Sequence, residues 1–218
     1  MRYTTILFDL DGTLLDTLDD LTDAVNRTLA RYGQPPRTRR EVRAFLGNGA
    51  LYLMQHAAPD VTGERFDALL RDYKADYDAN CRVRTAPYPG VPALLQTLRA
   101  HGIRTGIVSN KPDSAVQPLY EAFFADTVDA AVGERDGIRR KPAPDTVLAA
   151  MERLGAAPGE TLYVGDSEVD ILTARNAGVD CASVTWGFRD ADDLLNNGAK
   201  LLFDSADALC AFLTEATP

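Results

Sequence analysis

The chain of 218 residues is short of the residue types on which several common chemistries rest. It has two histidines, His56 and His101, each in a helical pattern and neither with a second histidine or acidic partner at ligand spacing. Both read as surface or packing residues. Its three cysteines, Cys81, Cys181 and Cys210, lie far apart and form no CxxC pair, which argues against a disulfide framework and for a reducing compartment. Each reads as a packing residue rather than a nucleophile. The single tryptophan, Trp186, reads as core or cleft wall. Basic residues are also outnumbered, 23 Lys and Arg against 32 Asp and Glu, for a net charge of −9. An acidic surface repels polyphosphate backbones and anionic membranes, so neither nucleic acid nor membrane is an expected partner. A small phosphorylated ligand stays admissible, because a bound cation and a few local donors reverse the field inside a cleft. No apolar run approaches membrane-spanning length, and there is no internal repeat, low-complexity tract or long charge run. The opening residues enter a strand pattern with no leader-like segment, so the expected location is cytoplasmic.

What is present is an ordinary globular composition, 45% hydrophobic and 25% charged, with length enough for one large or two small domains. Thr4 to Leu10 reads as a short buried strand. From Thr17 the period changes: Leu18, Leu21, Val25, Leu29 and Tyr32 recur at helical spacing until Gly33 and Pro35-Pro36. Thr38 with Glu41 forms a capping-box start, Gly47-Asn48-Gly49 breaks that helix, and Ala50 to Ala58 and Thr62 to Asp78 read as two more. After Pro87-Tyr88-Pro89-Gly90 the texture becomes alternating helix and strand, with strands at Ile103 to Val108, Thr127 to Val132, Thr161 to Val164 and Val179 to Thr185. The helix after the third of these is expected to run from Asp170 to Ala177. This pattern predicts an α/β fold: a Rossmann-like parallel sheet, residues 1–16 with 85–218, into which an all-helical cap, residues 17–84, is inserted.

In open α/β sheets, ligands bind beyond the carboxyl ends of the strands. Those ends collect a short polar set. The first strand runs into Asp9-Leu10-Asp11-Gly12-Thr13, where the strand period puts both carboxylates on one side. Alone, that fragment is equally well a strand ending in a solvated acidic turn. The next strand ends in Ser109-Asn110, and another in Gly165-Asp166 with Asp170 four residues on. Lys141 lies in a loop just before a helix. Carboxylate oxygens gathered this way suit a hard cation such as Mg2+ together with a phosphate. Ser109 can also be a helix cap, Asn110 a turn residue, Lys141 a solvated loop charge, and Asp170 the N-cap of its helix.

Motif for motif this set resembles the haloacid-dehalogenase-like phosphohydrolase superfamily: Asp9-Leu10-Asp11-Gly12-Thr13 its first motif, Ser109-Asn110 its second, Lys141 its third, and Gly165-Asp166-Ser167-Glu168-Val169-Asp170 its fourth. The resemblance spans essentially the whole chain and includes a helical insert where the first cap class carries one. It implies a Mg2+-dependent phosphomonoester hydrolase with Asp9 as nucleophile forming an aspartyl-phosphate, and Asp11 as general acid and base. It implies metal held by Asp9, Asp166 and the backbone of Asp11, with Asp170 as an outer or occasional direct metal partner. It further implies Lys141 as the compensating cation, and phosphate contacts from Ser109, Asn110, Gly12 and Thr13. Asp11 argues against dehalogenases, which lack an acid/base there, and Leu21 stands where the β-phosphoglucomutase-like members carry a histidine.

The cap segment Phe45-Leu46-Gly47-Asn48-Gly49-Ala50-Leu51 resembles the cap loop of bacterial phosphoglycolate phosphatases. That likeness makes 2-phosphoglycolate the expected substrate and Arg43, Gly47 and Asn48 expected substrate contacts. The same segment also reads as a plain helix–helix turn. Pyrophosphate, nucleotide and sugar-phosphate hydrolases use similar cores, and a phosphomutase or a non-catalytic module are the further alternatives. The expected partner is a small phosphorylated metabolite; the oligomeric state is not legible.

Overall fold

The structure, a computed structural model, describes residues 3–215; the expected core also took in residues 1, 2 and 216–218, which lie outside the described residues. The chain runs β1 (Thr5–Phe8), β2 (Leu15–Asp16), α1 (Leu18–Arg31), α2 (Arg39–Phe45), α3 (Gly49–Ala57), α4 (Gly63–Asn80) and β3 (Ala86–Pro87). It continues α5 (Val91–Ala100), β4 (Arg104–Pro112), α6 (Asp113–Phe123), β5 (Ala130–Glu134), α7 (Asp145–Leu154), β6 (Thr161–Gly165) and α8 (Glu168–Ala177). β7 (Asp180–Val184), α9 (Ala191–Asn196), β8 (Leu201–Phe203) and α10 (Ala206–Thr214) complete it. Two compact units result: residues up to Leu15 with those from Pro87 onward, and Asp16–Ala86. The two-residue strands β2 and β3 pair where the chain passes from one to the other and back.

The first unit is a six-stranded sheet in the order β5-β4-β1-β6-β7-β8, every neighbouring pair parallel. After β1 the chain adds β4 and β5 on one side, then returns to place β6 on the other. That reversal of direction at β1 opens a crevice at the carboxyl ends of the central strands. Parallel strands covered on both faces are continuously apolar, and all four residues of β1 are buried. Under the sheet, Leu7, Val108, Val132 and Tyr163 pack with Val147, Met151 and Leu154 from α7. Gly106 makes room there, since a Cβ on it would stand 2.8 Å from the Leu7 side chain.

Besides the short β2 and β3, three elements differ clearly from the sequence reading. β4 does not stop at Val108 but continues to Pro112, with its register against β5 shifting between Val108 and Pro112. A bulge of this kind keeps a strand paired while re-aiming its side chains. β5 starts at Ala130, because the amides of Thr127 and Val128 both donate to Phe124 O and close the end of α6 instead. α8 starts at Glu168, with Ser167 as its N-cap and Asp170 one turn inside, not at the cap.

The second unit is helical. α1 presents Leu18, Leu21, Val25 and Leu29 as a buried stripe, and α4 buries Phe66, Leu69, Tyr73 and Tyr77. The Thr38–Glu41 capping box starts α2 as expected. Two buried carboxylates tie the unit together. Asp76 receives Arg27 (2.7 Å) and Arg31 (2.6 Å), linking α4 to α1. Asp20 accepts the backbone amides of Arg84 (3.0 Å) and Thr85 (2.9 Å) and the Thr85 hydroxyl (2.8 Å), pinning the segment after α4 back onto α1. Because Asp20 and Thr85 are both buried, removing Asp20 strands the Thr85 amide and hydroxyl away from water. Asp20→Ala is expected to cost about 3 kcal/mol in urea unfolding of the full chain. A loss below about 0.5 kcal/mol, the range of an ordinary surface change, would show that the clasp is dispensable.

Candidate active site

Asp9 is the first residue past β1, and its amide donates to Val164 O (2.8 Å), carrying the β1–β6 ladder one step beyond the strand. Its Oδ1 accepts the Leu10 amide (2.7 Å) and the Lys141 ammonium (3.0 Å). Lys141 is brought in by β4: the Asn110 side chain brackets its backbone, accepting from Lys141 N (2.7 Å) and donating to Lys141 O (3.0 Å). The side chain of Asn110 therefore holds the lysine in place. The ammonium, 2% exposed, also reaches Asp170 Oδ1 (2.7 Å) and the Tyr163 hydroxyl (3.0 Å).

Asp166 and Asp170 come from the β6–α8 turn. Asp170 Oδ2 accepts the amides of Asp166 (3.2 Å) and Ser167 (3.1 Å) and the Ser167 hydroxyl (2.6 Å), while Oδ1 accepts from Lys141 and from the Tyr163 hydroxyl (3.0 Å). This carboxylate fits so closely over Gly165 that a Cβ there would come closer than 3.0 Å to it. Asp166 is held differently. Its Oδ2 accepts the Phe188 amide (2.6 Å), its Oδ1 the Thr13 hydroxyl (3.3 Å), and Gly12 and Gly187 press against it where neither has room for a Cβ. Gly12 also has φ +84°, which a side chain would strain.

Asp9, Asp166 and Asp170 offer oxygens within 4.8 Å of one another. Three buried carboxylates face one ammonium, an excess of two negative charges. Burial pushes the Asp9 carboxyl well above its ordinary value against the pull of Lys141, with Asp170, Asp166 and Asp11 adding to the rise. Burial and then Asp170 push Asp166 up to about 7. Burial alone would lower Lys141, but Asp170 and Asp9 more than offset it and hold its ammonium above the ordinary lysine value. An all-oxygen donor set with surplus negative charge fits a hard divalent cation of the Mg2+ kind.

Asp11 is not within that trio. Its Oδ1 lies 3.0 Å from the ammonium of Lys111, whose side chain is 4% exposed. Ser109, buried beside it, accepts the Lys111 amide (3.2 Å), and a hydroxyl that accepts can still donate elsewhere. The amides of Gly12 and Thr13 are occupied within their own turn, on Leu15 O (2.9 Å) and Leu10 O (3.4 Å). Arg43, Gly47 and Asn48 belong to the helical unit: Arg43 in the last turn of α2, Gly47 in the following break with φ 107°, and Asn48 capping α3.

Residues the sequence reading passed over are Tyr163, Lys111, Gly187 and Phe188. Tyr163 sits inside a strand, where a buried phenol looks like any strand residue until its neighbours are known, and Lys111 falls past the expected end of its strand at Val108. Gly187 follows Trp186, whose indole N–H fixes the loop to Thr13 O (3.0 Å); a glycine after a lone aromatic carries no motif of its own.

The haloacid dehalogenase-like hydrolase family matches residues 6–184 of this chain. A phosphoglycolate phosphatase of Cereibacter sphaeroides is 39% identical over 193 residues, 85% of this chain and 87% of that one. An N-acetylmuramic acid 6-phosphate phosphatase of Pseudomonas aeruginosa is 31% identical over 219 residues, 99% of this chain and 97% of that one. A crystal structure of a protein from Lactobacillus delbrueckii subsp. bulgaricus superposes with a TM-score of 0.93 at 36% identity, covering 98% of this chain and 99% of the other. No helix among the described residues is long and apolar enough to cross a membrane.

Asp9 and Asp166 both favour their protonated forms in the folded chain, so ionising them opposes folding. Their contribution to stability is full below the ordinary carboxyl value of 3.8 and, for Asp166, is lost as pH rises through about 7. In the presence of a chelator, urea unfolding is expected to show a smaller unfolding free energy at pH 8 than at pH 5. Asp166→Asn should flatten that difference; an unchanged difference would contradict this assignment of the charge.

Proposed function

Because the chain belongs to the haloacid dehalogenase-like hydrolase family and is a phosphatase of that family, we propose that it hydrolyses 2-phosphoglycolate, or a closely related phosphorylated acid, through an aspartyl-phosphate on Asp9. The observation that carries the reading is the meeting of Asp9, Lys141, Asp166 and Asp170 at the carboxyl ends of adjacent strands. Phosphoryl transfer needs mostly positioning and charge neutralisation. Lys141 and the Leu10 amide fix Oδ1 of Asp9, which orients its second oxygen for attack on phosphorus. Asp11 gives a proton to the leaving oxygen, then takes one from the water that cleaves the acyl phosphate. Ser109 donates its hydroxyl to a phosphoryl oxygen. The carboxylates of Asp9 and Asp166 would hold a divalent cation, Mg2+ by their ligand preferences, which would supply positive charge that keeps Asp9 ionised beside a phosphate. Asp170, with both oxygens engaged, orients Lys141 and the β6–α8 turn. Arg43, Gly47 and Asn48 are assigned to substrate selection from the helical unit.

The relatives support the substrate class, since glycolate and N-acetylmuramic acid are both carboxylic acids. The sugar-acid ester is the second reading, because that relative covers nearly the whole chain. A panel of 2-phosphoglycolate, N-acetylmuramic acid 6-phosphate, pyrophosphate, nucleotides and hexose phosphates, with and without Mg2+ and ranked by kcat/KM, tests both. No phosphate release from any member would sink the proposal. Asp9→Asn is expected to reduce turnover to the background while leaving the circular dichroism spectrum unchanged. Independently of turnover, Mg2+ should raise the Tm of the wild-type chain more at pH 8 than at pH 5, since the ligands must be ionised. Asp166→Asn should lose most of that rise.

A further inference from the structure

The reaction proposed above employs one lysine, Lys141, yet the same strand ends bury a second. Lys111 has 4% of its side chain exposed and places Nζ 3.0 Å from Asp11 Oδ1, a carboxylate that keeps 19% of its side chain accessible. Its position is built into the fold. Residues 109–111 lie where the β4–β5 register shifts, between Val108 and Pro112, and the Lys111 amide is fixed on Ser109 Oγ. Behind it, β5 closes in through Gly133, where a Cβ would stand 2.9 Å from Lys111 O and 2.8 Å from Asp113 N. The Gly133 amide donates to Asp113 Oδ1 (2.9 Å), locking the two segments.

The two ammoniums thus divide the site. Lys141 is paired with Asp9, the side on which phosphorus is attacked, and Lys111 with Asp11, the side from which the leaving oxygen departs. Charge on the phosphoryl group is met on the attack side by Lys141 and Ser109. The buried ammonium on the leaving side is placed for a second anion on the leaving group, a few atoms from the ester oxygen. With an uncharged alcohol, Lys111 keeps Asp11 as its counterion. With an acid, the substrate's own carboxylate pairs with it as well.

We infer that Lys111 is a specificity-determining residue that selects phosphate esters whose leaving group bears a nearby carboxylate. The inference rests on the phosphatase reading and adds to it the residue that reads the acid. It is tested with the full chain and Mg2+ on two substrates, 2-phosphoglycolate and its carboxyl methyl ester, which share the phosphate and the leaving oxygen and differ by one charge. Wild type is expected to favour the acid in kcat/KM. Lys111→Met should lower kcat/KM for the acid by about thirtyfold more than for the methyl ester, as truncating one partner of a buried charge pair does. Lys111→Arg, which keeps the charge, should retain the preference for the acid. Equal losses on both substrates in Lys111→Met would overturn the inference and leave the phosphatase reading standing. A wild-type enzyme that hydrolyses both equally would overturn it without recourse to any variant. Release of phosphate from neither would overturn both readings.

Discussion

The interaction on which this site depends is the burial of one ammonium among groups that cannot all be satisfied without it. Lys141 meets Asp9, Asp170 and the Tyr163 hydroxyl within 3.0 Å, in surroundings that exclude water almost completely. Isolated, such a charge would be driven to neutrality by desolvation, and so would each carboxylate. Asp170 and Asp9 keep Lys141 charged against that cost, and three different strands must stay in register for that to persist. β1 brings Asp9, β6 brings Tyr163 and leads to Asp170, and β4 secures the lysine through the Asn110 amide. The sheet order is therefore part of the electrostatics: β1 lies between β4 and β6, so the strand ends that carry these groups are immediate neighbours.

The compensation is deliberately incomplete. Burial, together with the excess of carboxylates over the one lysine, leaves Asp9 and Asp166 with raised proton affinities, so the arrangement favours positive charge from outside the chain. This is the opposite of a structural ion-pair network, in which the charges balance. The helical unit shows the contrast. There Asp76 meets two arginines and Asp20 meets two amides and a hydroxyl, arrangements that stabilise a fold and require nothing further.

Much of the architecture was legible because its signals are local. The change from period two to helical period at Thr17, the Thr38–Glu41 box and the βα alternation after Pro87 each depend on residues near one another in sequence. The strand-end rule then reached Asp9, Ser109, Lys141, Asp166 and Asp170 without knowledge of their contacts. Roles were harder to read. Asp170 looks in sequence like a helix cap, whereas it lies one turn inside α8 with its second oxygen turned to Lys141. Asn110 looks like a turn residue and is a bracket for a loop 31 positions away. Lys111 seems to lie past the end of a strand because the bulge that extends β4 depends on pairing with β5, which is invisible in a single strand's pattern.

Asp166 is confined less by what touches it than by what has been left out around it. Gly12 and Gly187 approach its carboxylate from two loops, each where a single methyl group would collide. Most binding sites can drift, because one side chain can be exchanged for another and the neighbours repacked. A site bounded by missing atoms has no such latitude, since every possible substitution at those two positions adds matter. Two of its walls can thus change only for the worse, which leaves the surroundings of this carboxylate a narrow path of variation.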